Sequence, residues 1–425
     1  MAGVKHGSTT LRPMLCMGTP IPPVEGEKYK EGYRMKKSVI VSAARTPVGS
    51  FMGALSGVAA PRLGSRAIQE AVQRAGIDVA KIDEVIMGNV LTGGEGQAPA
   101  RQAMRYAGIP DATGALTINK VCGSGVKSVM LADQIIRSGD ARVIVAGGME
   151  NMSSAPYFLE KARQGYRMGN GNVIDSMIWD GLWDPYNNFH MGNAAELCAK
   201  EYHYTREAQD AFAVESYRRS QNAISKGLFK REIAKVEIQG KKGTVIVEQD
   251  EEPAKVDFAK IPSLKPAFVK DGTVTAANAS TINDGAGAVV VVDEDYAKES
   301  GLKPLARIVA SAQAARAPEW FTLAPVDAIK NVFKKAGMTK DSIDLYEINE
   351  AFAVVTMVAM DQLGLDPAKV NVRGGAVSIV HPIGASGTRL LVTLLHAMQD
   401  MNKSTGLVTL CIGGGEAVAM IVERM

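Results

Sequence analysis

Val121-Cys122-Gly123-Ser124-Gly125, with the helical run Val126–Arg137 behind it, has a counterpart far down the chain in Gly384-Ala385-Ser386-Gly387 and the run Thr388–Met398. Gly125 and Gly387 lie 262 positions apart, and two neighbouring matches keep nearly that spacing. Gly76-Ile77-Asp78 with Lys81-Ile82-Asp83-Glu84 answers Gly337-Met338 with Ser342-Ile343-Asp344-Leu345. The run Arg142–Ala146 into Gly147-Gly148-Met149-Glu150 answers Leu407–Leu410 into Cys411–Glu416. Chance explains any single match between glycine-rich loops. Three matches in the order strand, loop, helix, strand point instead to duplication of one α/β unit.

Outward from these loops, short apolar runs of strand type alternate with runs of helical spacing. Val39–Ser42, Glu84–Met87, Val143–Ala146, Ala288–Val292, Ile308–Ala310 and Val408–Leu410 read as strands. Leu63–Arg74, Val126–Ile136, Val326–Ala336 and Arg389–Met398 read as helices. The alternation predicts an α/β fold whose strands are covered on both faces. Residues 152–282 break the pattern, being rich in Gly, Asn, Asp and aromatics, with one helix near Ala208–Gly227. They are expected to form an inserted loop domain over the site. The expected division is therefore 35–151 with 283–302 as the first half and 303–425 as the second. Residues 1–34 have no apolar periodicity and are expected to be a disordered extension.

Bulk properties exclude several classes. A formal net charge of +3 over 425 residues, without a basic run interleaved with aromatics, argues against nucleic-acid binding. No apolar run approaches the length of a membrane span. Four cysteines in a chain this long read as reduced thiols of an intracellular protein, not a disulfide framework. The absence of a convincing targeting segment favours the cytoplasm.

The candidate chemistry sits at glycine-rich turns. Cys122 precedes a helix, whose N-terminus is expected to lower the thiol pKa, and its own N–H is a candidate oxyanion donor. His381 in His381-Pro382-Ile383-Gly384 is a candidate base for Cys122 or a donor to a thioester oxygen. Cys411 follows an apolar strand and is placed to take a proton from a carbon acid and return it. Gly413 offers a second oxyanion N–H. Asn349-Glu350 ends the run Ile343–Ile348. There Asn349 can fix a water or oxygen and Glu350 can orient a partner, or each simply caps the strand. His203 and His396 form no metal-ligand pair at usable spacing.

At these residues the chain resembles the thiolase family. The likeness runs from about Ser38 to the C-terminus and rests on Ser42-Ala43-Ala44-Arg45-Thr46-Pro47, Asn119 to Gly125, Gly147 to Ser153, His190-Met191-Gly192, Asn278 to Gly285, Asn349-Glu350-Ala351-Phe352, Gly374-Gly375-Ala376, His381 to Gly387 and Cys411 to Gly415. The resemblance implies two duplicated halves in a five-layered αβαβα core with a loop domain inserted in the first. It implies condensation of two acetyl-CoA to acetoacetyl-CoA and CoA, with Cys122 acylated, His381 activating it, Cys411 as acid/base and Asn349 holding an oxyanion-hole water. Coenzyme A is then a substrate and no resident cofactor is required. Lys255, Lys260 and Ser280 are expected to touch it, with His190, Met191 and Phe352 at the acyl end. The branch it resembles further implies potassium at Tyr217, Ala276, Ala277, Ala279 and Val377, a homotetramer or homodimer, and the mitochondrion as the alternative compartment. The other readings are a thiolase of broader chain length and a non-catalytic acyl-CoA-binding protein of the same fold. Three positions depart from the family pattern. Val380 replaces the usual Gly before the histidine, Arg373 a usual Asn, and Thr388 a usual Ala.

Overall fold

In a strand covered on both faces, successive side chains enter opposite cores. Strand β4 (Val143–Asn151) does this, with Val143 and Val145 in one cluster and Ile144 and Ala146 in another. Strand β9 (Glu416–Arg424) repeats it, with Val418, Met420 and Val422 on one side and Ala419 and Ile421 on the other. The computed structural model describes residues 35–241 and 243–425. The expected extension 1–34 lies outside the described residues.

The first half contributes β1 (Ser38–Arg45), β2 (Glu84–Gly88), β3 (Gly114–Ile118), β4 and β5 (Asn283–Asp293). The second contributes β6 (Ala306–Ala315), β7 (Leu345–Ile348), β8 (Thr405–Ile412) and β9. Their order is β7-β8-β9-β6-β1-β5-β4-β2-β3. Read outward from the β6–β1 junction, the two halves repeat the same arrangement. The junction is slight, pairing only Val39 with Arg307 and Ile40 with Ala306. Although residues 152–282 lie between β4 and β5, these strands pair directly from Asp284↔Asn151 to Val292↔Val143.

Helix α1 (Ala60–Ala75) covers the outer face of the first half, and α5 (Ala324–Ala336) with α6 (Ala353–Leu363) that of the second. Between the halves lie α2 (Ser124–Ser138) and α7 (Ile383–Asp400), which share a core with inward-facing residues of both. The layers are α, β, α, β, α, as the resemblance implied. Each apolar side chain fully buried there contributes about 1.5–3 kcal/mol. Glycine lets the central helices meet. A Cβ on Gly125 would stand 2.6 Å from Thr388 N, and one on Gly387 would stand 2.4 Å from Val126 N. The two loops whose likeness revealed the repeat therefore touch. Within the described residues, α3 (Met191–Glu201) and α4 (Arg206–Ser225) belong to the stretch between β4 and β5, and no helix is long and apolar enough to cross a membrane.

Candidate active site

Four element ends converge between the halves. Cys122 lies two residues before α2, His381 two before α7, Asn349 directly after β7, and Cys411 near the end of β8. A cavity of about 270 Å³ is lined by Cys122, His381 and Gly413, and also by His190, Met191, Ser280 and Phe352. Cys411 and Asn349 are buried outside its lining. Cys411 nevertheless feels the charge of Cys122, and Ile412 presses on Gly123 so closely that a Cβ there would meet its Cδ1 at 2.4 Å.

The thiol at Cys122 differs from the expectation. Burial pushes its pKa up to about 11, outweighing the Gly413 N–H and its own N–H, which pull it down, while the Glu150 carboxylate pushes it further up. The helix-start setting does not produce a resting thiolate, because desolvation of the charged form is the larger effect. Cys411 is likewise raised well above the usual range, by burial and then by Cys122.

His381 is held neutral. Burial, and then the positive charge of Arg389, lower its pKa to about 3. Its Nδ1 stands 2.5 Å from Ser386 Oγ, which donates its one proton to Pro382 O at 2.8 Å. Ser386 must therefore accept from Nδ1–H, which leaves the lone pair on Nε2. Nε2 faces Asn349 Nδ2 at 3.4 Å, and Asn349 Oδ1 is buried without a partner among the described residues. Ser386 was quoted in the sequence pattern but given no role; its position five residues after the histidine, in the first turn of a helix, is the signal that was available.

The remaining candidates divide. His190 caps α3, its Nδ1 accepting from Gly192 N at 3.1 Å, and stacks on Phe268 at 4.8 Å. Phe268, Phe352 and Phe321 continue that wall edge to face. Ser280 joins it through its N–H to Ala351 O at 3.0 Å. Lys255 and Lys260 do not line the cavity. Lys255 bonds Ser50 Oγ and lies 3.6 Å from Glu252, while Lys260 pairs with Asp257 at 3.2 Å. Tyr217 and Val377 share a small apolar cluster, Ala277 and Ala279 are buried, and Ala276 is exposed. Glu350 is not at the cavity. It accepts from Ser216 Oγ and Asn371 Nδ2, each at 2.7 Å, and from Val377 N at 3.1 Å, fixing the loop before His381.

With this geometry in hand, the thiolase N-terminal domain model matches residues 38–295 and the thiolase C-terminal domain model residues 302–424. The chain belongs to the thiolase family. An acetyl-CoA acetyltransferase of Yarrowia lipolytica is 52% identical over 392 residues, 92% of this chain and 98% of its own. The mitochondrial acetyl-CoA acetyltransferase of Bos taurus is 50% identical over 393 residues, 92% of each. A thiolase of Ascaris suum solved in complex with coenzyme A has a TM-score of 0.87 at 42% identity, covering 92% of this chain and 100% of that one.

The three departures of this thiolase have distinct structural meanings. Arg373 is buried and pairs with Glu232 at 2.8 Å and Asp400 at 2.6 Å, so its charge is absorbed. Thr388 donates to Gly125 O at 3.1 Å and stitches the two central helices. Val380 is strained, with φ +94° and ψ 172°, a region that is essentially glycine's own. Val121, just before Cys122, also has a positive φ of +45°. Both Cys122 and His381 therefore follow a β-branched residue in a conformation such residues avoid. Val380→Gly relieves about 1–3 kcal/mol of strain but exposes or empties a valine site worth about 1.5–3 kcal/mol. Its Tm is expected to change little and its kcat/KM to stay level or rise. A large fall in kcat/KM would show that the loop uses the valine side chain to seat His381.

Proposed function

We propose that this thiolase condenses two acetyl-CoA to acetoacetyl-CoA and free CoA, reversibly, through acetyl-Cys122. The observation that carries the reading is the meeting of Cys122, His381 and Gly413 in one cavity, with Cys411 and Asn349 packed behind it. His381 Nε2 takes the Cys122 proton as sulfur attacks the first thioester. The N–H groups of Gly413 and Cys122 face the oxyanion. Cys411 gives its proton to the departing CoA thiolate and becomes a thiolate itself. It then removes the α-proton of the second acetyl-CoA, and the enolate oxygen is held by protonated His381 and a water on Asn349. Attack on acetyl-Cys122 and return of the His381 proton to Cys122 restore the starting state. The aromatic wall of Phe268, Phe352 and Phe321 opposes long acyl chains and so disfavours the broader chain-length reading; rates against acyl length test this.

Intact-mass spectrometry after incubation with acetyl-CoA, followed by peptide mapping, tests the nucleophile. An acetyl group on Cys122 that CoA removes is the expected result. Bound CoA without that adduct would replace this function by a binding role.

Two further expectations belong to the same reading. Potassium is assigned to the carbonyls of Tyr217, Ala276, Ala277, Ala279 and Val377; the buried Glu350 carboxylate beside Val377 and Ser216 supplies negative charge there. Tm is expected to rise with KCl over NaCl at equal ionic strength, as for any ligand bound only by the folded state. Equal Tm values in the two salts would remove the site. The oligomer, tetramer or dimer, is supported by exposed Leu159, Met168 and Val173 on the connection between the short strands Tyr157–Phe158 and Ile174–Asp175; light scattering decides it. The compartment assigned is the cytoplasm, with the mitochondrion as alternative, and a fluorescent fusion of the full chain tests it.

A further inference from the structure

Glu150 lies fully buried near the end of β4 and forms no ion pair among the described residues. Its carboxylate instead collects four N–H donors. Oε1 accepts from Asn89 Nδ2 at 2.9 Å and Leu91 N at 3.0 Å. Oε2 accepts from Val90 N at 3.1 Å and Gly384 N at 2.8 Å. None of these four partners can accept a proton from it, so the arrangement suits the ionised form.

Gly384 belongs to the first turn of α7, and this contact crosses from one half of the molecule to the other. Helix α7 has 18 residues, no side-chain cap from Pro382 and no acid in its first turn. The positive end of a helix that long calls for a negative charge, and Glu150 supplies it from another strand. The fit is tight, since a Cβ on Gly384 would stand 2.6 Å from Oε2. His381 is only three residues upstream of that contact. On the other side, the loop carrying Asn89 begins at Gly88, which touches Ser124 at the start of α2, next to Cys122.

We infer that Glu150 is a positioning residue: it caps α7 from the opposite half and so sets where His381 stands relative to Cys122. The inference rests on the reading of Cys122 as nucleophile. Both central helices aim positive ends at the site, and the Glu150 carboxylate offsets part of their field, adding to the burial that raises the Cys122 thiol. The titratable groups facing Glu150 are Glu95, pushed up to about 8 by burial and by Glu150 itself, and Cys122. Facing Cys122 are Glu150, Cys411 and, across the cavity, His381. Glu150 itself is raised to about 7, burial outweighing the four donors that pull it down.

The test is the rate of Cys122 alkylation by iodoacetamide against pH, read by peptide mapping, in wild type, Glu150→Gln and Asn89→Ala. In Glu150→Gln the midpoint is expected to fall by about one pH unit, the shift of a single neighbouring charge. Its kcat is expected to fall by about 10–100-fold, as for a displaced catalytic group, with KM for acetyl-CoA within about threefold of wild type. Asn89→Ala, which removes one of the four donors but keeps the charge, is expected to lower kcat in the same direction by less and to leave the alkylation midpoint near that of wild type. A wild-type alkylation profile in Glu150→Gln, or an unchanged kcat, overturns the inference. Should Glu150→Gln not fold, Asn89→Ala decides it by kcat, an unchanged kcat overturning it. A wild-type protein that never takes acetyl from acetyl-CoA would refute the proposed function, while the alkylation profiles would still decide Glu150.

Discussion

Cys411→Ser is expected to leave Cys122 able to take an acetyl group and to lower acetoacetyl-CoA formation by about 10²–10⁴-fold, the range for loss of a positioned acid–base group. The reason is the environment of Cys411. It is buried at the end of β8, against the Cys122 loop, and burial lifts its thiol well above the ordinary range. A thiolate generated there by protonating departing CoA is a strong base, matched to a weakly acidic carbon. A serine of nearly the same size keeps the packing but cannot be left as an alkoxide under the same conditions. The two half-reactions are read separately, acetyl-Cys122 by mass and acetoacetyl-CoA by absorbance. Equal loss of both would mean that protonation of the departing CoA by Cys411 limits the first half-reaction as strongly as proton removal limits the second, or that folding is impaired. Retained condensation would remove it from the chemistry.

Much of this was legible because the signals are local. The repeat around Gly125 and Gly387 foretold both the two halves and the helices that cross at those glycines. Apolar runs such as Val143–Ala146 marked strands because each is buried on both faces, and the structure extends that one only to Asn151. What the chain order conceals is the surroundings that distant segments supply. The Cys122 pKa departs from the sequence expectation because the helix start is visible in the sequence, whereas the desolvating wall comes from Met152 and Ile383. Arg373 departs from the family pattern by residue type, and the carboxylates that absorb its charge, Glu232 and Asp400, come from distant segments. Val380 posed a question that only its backbone angle could answer. Lys255 and Lys260 fitted a phosphate-bearing ligand by residue type, yet each pairs with a neighbouring carboxylate away from the cavity.

Arg45→Met carries the largest expected effect on stability, about 3–5 kcal/mol, as for breaking a buried ion pair from one side. Arg45 is fully buried at the end of β1, in the Ser42–Pro47 segment. It pairs with both oxygens of Asp250 at 2.8 and 2.9 Å and with Glu232 at 3.0 Å, while its guanidinium lies over Phe229. Burial opposes its charge, but Asp250 and Glu232 more than reverse that and raise its pKa. Methionine fills a similar space and leaves two carboxylates facing the same apolar surroundings. Glu232 keeps Arg373 and Thr393, whereas Asp250 keeps only the Val48 N–H among the described contacts. The sign of the pH dependence follows. In the wild type Glu232 is held below its usual value, so its contribution is present near neutrality and is lost as pH falls through its folded pKa. In Arg45→Met the guanidinium that holds Glu232 down is gone and burial pushes that carboxyl up, so protonation at lower pH then costs the fold less than in wild type. The deficit between variant and wild type is therefore expected to shrink from pH 7 to pH 5 in urea melts. A deficit independent of pH would mean that Arg45 stabilises through packing on Phe229 and not through its charge.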